Sequence, residues 1–370
     1  MATAHEQRGR GFTLLELMIS MALGLVILAA ATQMFTKAMS ATWTVTQRAG
    51  MQQDGRAAIG LIAKDISLAG AGMPTGGVQL PTGTGLSPIY GCDQTKCYIG
   101  GVNGTGVAYP QQHLYGVVPG YQMGRPMTNG GAATDTITVV YTDITYSLNL
   151  YTVTNISASG NSITVTPPNP QPNPPVPPIT DQVHGVKVGD LILITNTAGN
   201  AIGEVTGIVG TTVINFADRD PLNINQSLAS AGNIKAIAGA CNPVCNGTTA
   251  TRIQVVTYYL DLPPGPDGIR YTADDWAPRL MRQVNGQTPV PVAENINNLQ
   301  FTYDIFDVGT AIANLPDAGY SQGKSLNEIR KVNVLSLTAR SAMHGSGGYQ
   351  GLDLATSISV RDMSFKDRYQ

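Results

Sequence analysis

Charge is scarce in this chain of 370 residues. Lys, Arg, Asp and Glu together make up 12% of it, and the net charge at pH 7 is −2. So even a balance excludes the basic footprint that a polyanion requires, and no nucleic-acid partner is expected. Histidine is scarce too. His5, His113, His184 and His344 are scattered, with no metal-ligand spacing. No segment recurs at a fixed period, which excludes a solenoid or propeller. The glycines between Gly100 and Gly106 lack the lysine and the following helix of a phosphate-binding loop. Only four cysteines occur, as the close pairs Cys92/Cys97 and Cys241/Cys245. They fit two disulfides in an oxidising compartment, with three pairings open. Zinc is the rival reading, but these spacings fit a zinc ribbon imperfectly. Gly, Thr, Asn and Pro are abundant, as in an exported β-rich protein with long turns.

One long apolar run stands out. Arg8, Arg10 and Gly11 precede Phe12-Thr13-Leu14-Leu15-Glu16, and from Leu17 to Thr36 no residue is charged. A secretory signal peptide is cut after its apolar run, next to small residues. Here the plausible cut lies before the run, after Gly11, so the run stays in the mature chain. Twenty helical residues span about 30 Å, roughly the hydrocarbon thickness of a bilayer. The basic leader argues for a cytoplasmic N-terminus. Glu16 is costly beside an apolar span, and for that reason it is a functional candidate.

The G-F-T-L-L-E string, its basic leader and the uncharged run resemble the class III signal of type IV prepilins and type II secretion pseudopilins. The resemblance implies cleavage after Gly11 by prepilin peptidase and methylation of Phe12. It also implies a role in filament assembly for Glu16, facing the N-terminal amine of a neighbouring subunit.

The helical pattern continues past the span. Ile59, Ile62, Ile66 and Ala69 recur at helical spacing, with Lys64 and Asp65 read as falling off that face. Gly50, Gly55 and Gly60 each weaken the helix, and Gly70-Ala71-Gly72-Met73-Pro74 ends it. Beyond Pro74 the period becomes alternating. Strands are predicted over 136–142, 162–166, 190–195, 251–261, 299–305, 331–340 and 355–361. Residues 280–292 read as a hairpin turning on Asn285-Gly286 with type I′ geometry. The proline-rich stretch from Pro167 to Pro178 builds no ladder. It reads as an extended connector that either separates two β regions or forms a stiff exposed loop.

The C-terminal third extends the resemblance. Val290 to Tyr303, V-P-V-A-E-N-I-N-N-L-Q-F-T-Y, is similar to a stretch of PilW-like minor pilins, with a looser version in GspJ-type pseudopilins. So are Asp65–Gly70, Ile329–Arg340 and Ser357–Asp362. The likeness is sharp over 9–74 and 251–362 and thin between. The proline-rich segment and the cysteine pairs depart from it.

Two strings carry possible chemistry. Gly319-Tyr320-Ser321-Gln322-Gly323 matches G-x-S-x-G, but a nucleophile elbow needs a strand before it and a helix after it. A turn-rich stretch precedes this string, and a strand is the next predicted element. Only His344 follows as a possible base. The acidic loop around Asp267, Asp274 and Asp275 offers oxygens to calcium, without the spacing of an EF-hand; aspartates that stabilise turns are its plain reading.

The expected fold is α+β: a long N-terminal helix, its first half membrane-spanning, packed on a largely antiparallel β-rich region. The expected organisation is a leader (1–11), a membrane or filament-core helix half (12–36), an extramembrane half (37–73), a β-rich region (74–166), the connector (167–178) and a β-rich domain (179–370). The resemblance implies a non-catalytic minor pilin with no cofactor. Its partners would be prepilin peptidase, the major pilin, other minor pilins and the pilus assembly machinery. It would wait in the inner membrane, then join a pilus with its β-rich part periplasmic or extracellular. A GspJ-like pseudopilin, a membrane-anchored adhesin gripping carbohydrate through residues 78–250, and a secreted hydrolase using Ser321 are the rivals.

Overall fold

The computed structural model describes residues 13–83, 89–92, 97–99, 113–220, 222–242, 244–307, 309–317, 324–342, 349–360 and 362–363. The chain divides into two compact units. One holds residues 1–50 with 341–350, and the other 51–340 with 351–370. Helix α1 covers Leu14–Leu68.

In the first unit the helix keeps its apolar side chains exposed. Leu14, Leu15, Met18, Leu25, Ile27, Met34 and Phe35 are all more than half accessible. Its hydroxyl groups are turned inward on the backbone. Ser20 donates to the Leu17 carbonyl (2.9 Å), Thr32 to Leu28 (2.9 Å), Thr36 to Gln33 (2.9 Å) and Ser40 to Lys37 (2.9 Å). Thr42, Thr44 and Thr46 donate to Ala38, Ser40 and Thr42 at 3.0, 2.9 and 3.0 Å. Every Ser and Thr of the helix up to Gly50 is therefore satisfied without water, as a segment entering hydrocarbon requires.

The second unit begins with the rest of α1, where Met51, Gly55, Ala58, Ile62 and Ile66 are buried. The helix stops where glycine allows a left-handed backbone, with Gly70 at φ 81° and Gly72 at φ 68°. Short strands follow: β1 (Val78–Gln79), β2 (Thr82–Gly83), β3 (Ile89–Cys92), β4 (Cys97–Ile99) and β5 (His113–Leu114). The longer strands are β6 (Val117–Gly120), β7 (Thr136–Thr142), β8 (Thr152–Ile156), β9 (Ser162–Thr166), β10 (Leu191–Asn196), β11 (Gly199–Val209) and β12 (Val213–Phe216). Then come β13 (Ala229–Ala231), α2 (Ile234–Ala238), β14 (Thr249–Asp261), β15 (Arg279–Val284), β16 (Val290–Glu294), β17 (Ile296–Asp307), β18 (Thr310–Leu315), β19 (Ile329–Ala342) and β20 (Tyr349–Ser359).

The branch point is β14. It pairs with β7 on one side, and on the other with β10 through residues 249–253 and β15 through residues 256–261. One arm runs β15-β16, and the other runs β10-β11-β12-β9-β8; β6 closes the β7 side. A second sheet has the order β18-β17-β19-β20. Asp135 ties the two sheets together. Its N–H donates to the Leu299 carbonyl (2.8 Å), and its carboxylate accepts from the Phe301 N–H (2.9 Å) and the Gln122 N–H (2.8 Å).

Two cores result. The first gathers Ile62, Ile66 and Ala69 of α1 with Val139, Val255, Tyr258, Phe301, Tyr303, Val332 and Leu337. The second gathers Leu148, Val153, Ile163, Val205, Ile214, Ile234 and Ile237. Strand β10 feeds both, since side chains alternate faces along a strand. Leu191 and Leu193 enter the first core, and Ile192 and Ile194 the second.

The α+β fold holds, and most predicted strands appear at or near their predicted places. Four readings change. Asp65 does not fall off the buried face; it is 2% exposed. The proline-rich stretch does not separate two β regions, because β8 and β9 before it share a sheet with β10–β12 after it. It is an exposed loop that bends at residues 169–170 and 173–174, held at its end by Tyr146 and Tyr151, whose hydroxyls donate to the Pro177 carbonyl at 3.1 and 2.9 Å. Asn285 (φ 52°) and Gly286 (φ 71°) do form the expected turn, but pairing resumes only at Arg282 with Val290, so β16 starts late. Strand β20 starts at Tyr349, six residues before the predicted 355.

Candidate functional site

The head of α1 is a closed polar motif. Thr13 immediately precedes the helix, and Glu16 occupies its third position. The Glu16 N–H donates to Thr13 Oγ1 (3.3 Å), while Glu16 Oε2 accepts from both the Thr13 N–H (3.0 Å) and the Thr13 hydroxyl (2.9 Å). This reciprocal arrangement is a capping box. It satisfies two backbone N–H groups that a helix start leaves open, and it places a carboxylate at the positive end of the helix dipole. Glu16 thus enters the apolar segment with hydrogen-bond partners from its own chain. The T-x-x-E spacing is visible in the sequence, but reading the string for its cleavage site alone passes over it. Gly11 and Phe12 lie outside the described residues.

The second polar cluster lies inside the second unit, and no sequence pattern pointed to it. Asp65 Oδ2 accepts from the Tyr258 hydroxyl (2.6 Å) and from Arg282 Nε (2.9 Å). Asp65 Oδ1 lies 3.0 Å from the Tyr141 hydroxyl, which is shared with Gln254 Oε1 at 3.1 Å. The Gln254 amide donates to Asp143 (3.0 Å), and Asp143 pairs with Arg252 Nε (2.9 Å). Arg252 also donates to the Gly185 carbonyl (2.9 Å) and the Thr145 hydroxyl (2.8 Å), and its guanidinium sits 5.3 Å from the Tyr146 ring centre. A continuous polar chain thus runs from α1 across β7 and β14 into the loop before β10.

Electrostatics follow the geometry. Burial raises the Tyr258 and Tyr141 hydroxyls above their ordinary range, and the Asp65 carboxylate raises them further. Burial opposes the charge of Arg282, but the bonds from Asp65 outweigh it and hold the guanidinium above its ordinary value. Burial also opposes the charge of Asp143, yet hydrogen bonds from Thr145 and Gln254, together with Arg252, hold it low. The cluster is a structural ion-pair network in which every member has a partner within it.

The remaining sequence candidates fall apart spatially. Cys241 and Cys245 form a disulfide in the second core, which leaves no thiolate there for zinc. Cys92 pairs in register with Cys97 across β3 and β4, and their side chains lie outside the described residues. In the acidic loop each aspartate closes a turn. Asp267 accepts from the Ile269 N–H (2.8 Å), Asp274 from the Thr272 hydroxyl (2.8 Å), and Asp275 from the Tyr271 N–H (2.6 Å). Among the described residues no group of three or more His, Cys, Asp or Glu gathers to hold a metal. The G-x-S-x-G string at 319–323 and His344 lie outside the described residues.

Comparison with known proteins bears on the helix head. A family model described as the prokaryotic N-terminal methylation motif matches residues 7–32, the stretch that contains the capping box and opens α1. No curated protein and no solved structure matches the chain. The motif supports a prepilin of the type IV pilin and pseudopilin kind, and it implies processing by prepilin peptidase and assembly into a pilus-type filament. Helix α1 is long and apolar enough to cross a membrane, consistent with anchoring in the inner membrane before assembly.

Proposed function

We propose that the chain is a structural, non-catalytic minor pilin of the PilW-like kind, cut after Gly11, methylated on Phe12, and built into a type IV pilus to initiate or cap it. One observation carries the reading. The methylation motif falls on a helix that starts with a self-satisfied carboxylate and then exposes an uninterrupted apolar surface whose hydroxyls are all internally bonded. Such a segment is stable in lipid, and it exchanges lipid for neighbouring helices at little polar cost. During that exchange Glu16 leaves its own Thr13 for the amine of a neighbour, and a buried pair of this kind sets register more than it adds stability. The β-rich body stays periplasmic before assembly and is displayed on the pilus afterwards. Major pilin, other minor pilins and the assembly machinery are the partners, and no cofactor is required.

Mass spectrometry of the protein purified from its own cells tests this. The expected mature chain starts at Phe12 with one added methyl group. A chain cut after the apolar run, or uncut in cells that hold the peptidase, ends the reading. A GspJ-like pseudopilin shares the same helix chemistry. Deleting the chain discriminates the two: loss of surface pili supports the pilin, whereas loss of enzyme secretion with pili intact supports the pseudopilin.

A further inference from the structure

Two large sheets leave five edges among the described residues, formed by β6, β8, β16, β18 and β20. An unpaired edge is a row of free N–H and C=O groups, and proteins blunt it with proline, short length, bulges or charge. Four of the five edges carry such a device. Strand β6 has four residues and contains Pro119, and β16 has five and contains Pro291. Strand β8 is five residues long, and its register shifts between Val153 and Asn155. Strand β18 carries an extra residue of its own between Ile312 and Leu315, and a left-handed Asn314 at φ 58°.

The fifth edge is long and carries neither proline nor a cation. Strand β20 runs eleven residues without proline, lysine or arginine, and Asp353 is its single charge. Its side chains alternate without interruption from Gly351 to Ser359, exposed at odd positions and half-buried at even ones. The even side chains Leu352 and Ile358 pack on the first core, and Leu354 reaches Gly55 of α1. The Val360 N–H donates to the Arg330 carbonyl of β19 (3.0 Å). Backbone polarity alternates along a strand, so 352, 354, 356 and 358 face β19, and 351, 353, 355, 357 and 359 point their N–H and C=O groups outward. The exposed side chains fold back rather than cover this edge. Asp353 accepts from Ser336 (2.8 Å) and Thr338 (3.0 Å) of β19, and the Ser357 hydroxyl bonds Asn333.

We propose that the outer edge of β20 is a docking site for an extended backbone segment of another subunit, which adds there as a further strand. Alternating free donors and acceptors over five residues match only another extended backbone, which is the chemistry of strand addition. With one carboxylate in eleven residues, charge selects little. The half-buried Leu352, Leu354 and Ile358 require small or apolar side chains at alternate positions of the incoming strand. This inference rests on the filament reading above for the identity of the partner.

The test uses the full-length chain in its own cells. Ala355→Pro removes an outward N–H and no bond to β19, so the fold tolerates it; Ala355→Lys places a charge at the same point, and Ala355→Thr keeps a strand-forming edge. Each variant is read for thermal stability, leader removal, membrane anchoring and recovery in sheared filaments. Ala355→Pro and Ala355→Lys are expected to keep the first three and to lower filament recovery about tenfold, with Ala355→Thr unchanged. If either blocking variant folds and assembles as the parent does, the proposal is wrong. Hydrogen exchange of the isolated protein is a second, independent measurement. Fast exchange at 353, 355 and 357 that slows in the filament supports strand addition, whereas protection already present in the isolated chain means its own residues cover the edge and overturns it. A parent chain that keeps its leader fails the filament reading instead, and that outcome is separate because it appears before any edge is altered.

Discussion

The two parts of α1 show how one kind of backbone serves two surroundings. Up to Gly50 the helix exposes leucines, isoleucines and methionines and makes no use of them within its own unit. From Met51 onward one face is buried, through Met51, Ala58, Ile62 and Ile66, and the Asp65 carboxylate is buried among them. The difference lies in what satisfies polar groups. In the first part each hydroxyl turns to a carbonyl one turn back, so the helix is complete by itself. In the second part Asp65 depends on Tyr141, Tyr258 and Arg282 from three strands, so the helix is complete only when the sheet is present. A self-sufficient segment can move between lipid and filament; a segment tied to distant donors stays with its body.

Breaking the tie gives the largest expected effect. Asp65→Ala leaves Arg282 and two tyrosine hydroxyls without their acceptor, and removal of one partner from a buried pair costs about 3–5 kcal/mol. Thermal or urea unfolding of the β-rich body checks this, and leader cleavage should not change. Loss of less than about 1 kcal/mol would mean that water replaces the carboxylate at this junction.

The junction between the sheets comes next. Burial lifts Asp135 from the ordinary 3.8 to about 6, against the hydrogen bonds from Gln122 and Phe301 that lower it, and burial with nearby Asp220 lifts Glu204 to about 7. Both acids hold their protons more tightly folded than unfolded. Between their unfolded and folded values the native state therefore binds more protons, and stability falls as pH rises. For Asp135 the full effect is on the order of 3 kcal/mol, lost between about pH 4 and pH 6. The unfolding free energy measured across that window should carry this downward contribution. Asp135→Asn should remove it, at the cost of an acceptor for one of the two N–H groups. A variant with the parent's pH slope would refute the assignment.

Reduction of Cys241–Cys245 is a smaller lever. A loop this short constrains the unfolded chain little, and about 2 kcal/mol, the low end of the usual range, is expected. Urea unfolding of a Cys241→Ser/Cys245→Ser variant against the parent measures this bridge alone; no loss of stability would show that it constrains nothing.

The glycines of α1 give the finest contrast. A Cβ on Gly55 would meet Leu354 Cδ1 at 2.8 Å, whereas Gly50 and Gly60 have open space. Gly60→Ala should raise stability by up to about 1 kcal/mol through helix propensity. Gly55→Ala gains the same propensity but must push Leu354 aside, and its net effect should be near zero or negative. Equal gains at both positions would show that Leu354 yields freely.

Much of the fold was legible because its signals are local. The strand at 136–142 reads T-I-T-V-V-Y-T, and its alternation needs no knowledge of partners. The turn at Asn285-Gly286 is written in two residues that tolerate positive φ. Strand β11 has no legible alternation because Gly199, Gly203 and Gly207 break its pattern, yet Gly203 is where Ile234 and Phe216 pack closely. Of the candidate site, Gly11, Phe12 and Glu16 came from a contiguous string. The Asp65 cluster could not, since its donors lie 76, 193 and 217 residues away.

The sequence by itself determined the helix head, the uncharged span, the stop at Gly70–Pro74 and the alternation of most strands. Each depends on residues within a few positions of one another, where backbone geometry alone relates spacing to face and cap to helix. The tertiary structure decided that Asp65 turns inward, that the proline-rich stretch is a loop within one sheet, that β10 serves two cores, and that β20, long and with neither proline nor a cation, is an edge. Those outcomes depend on which strands become neighbours, and neighbours are chosen by burial over the whole chain rather than by any local pattern.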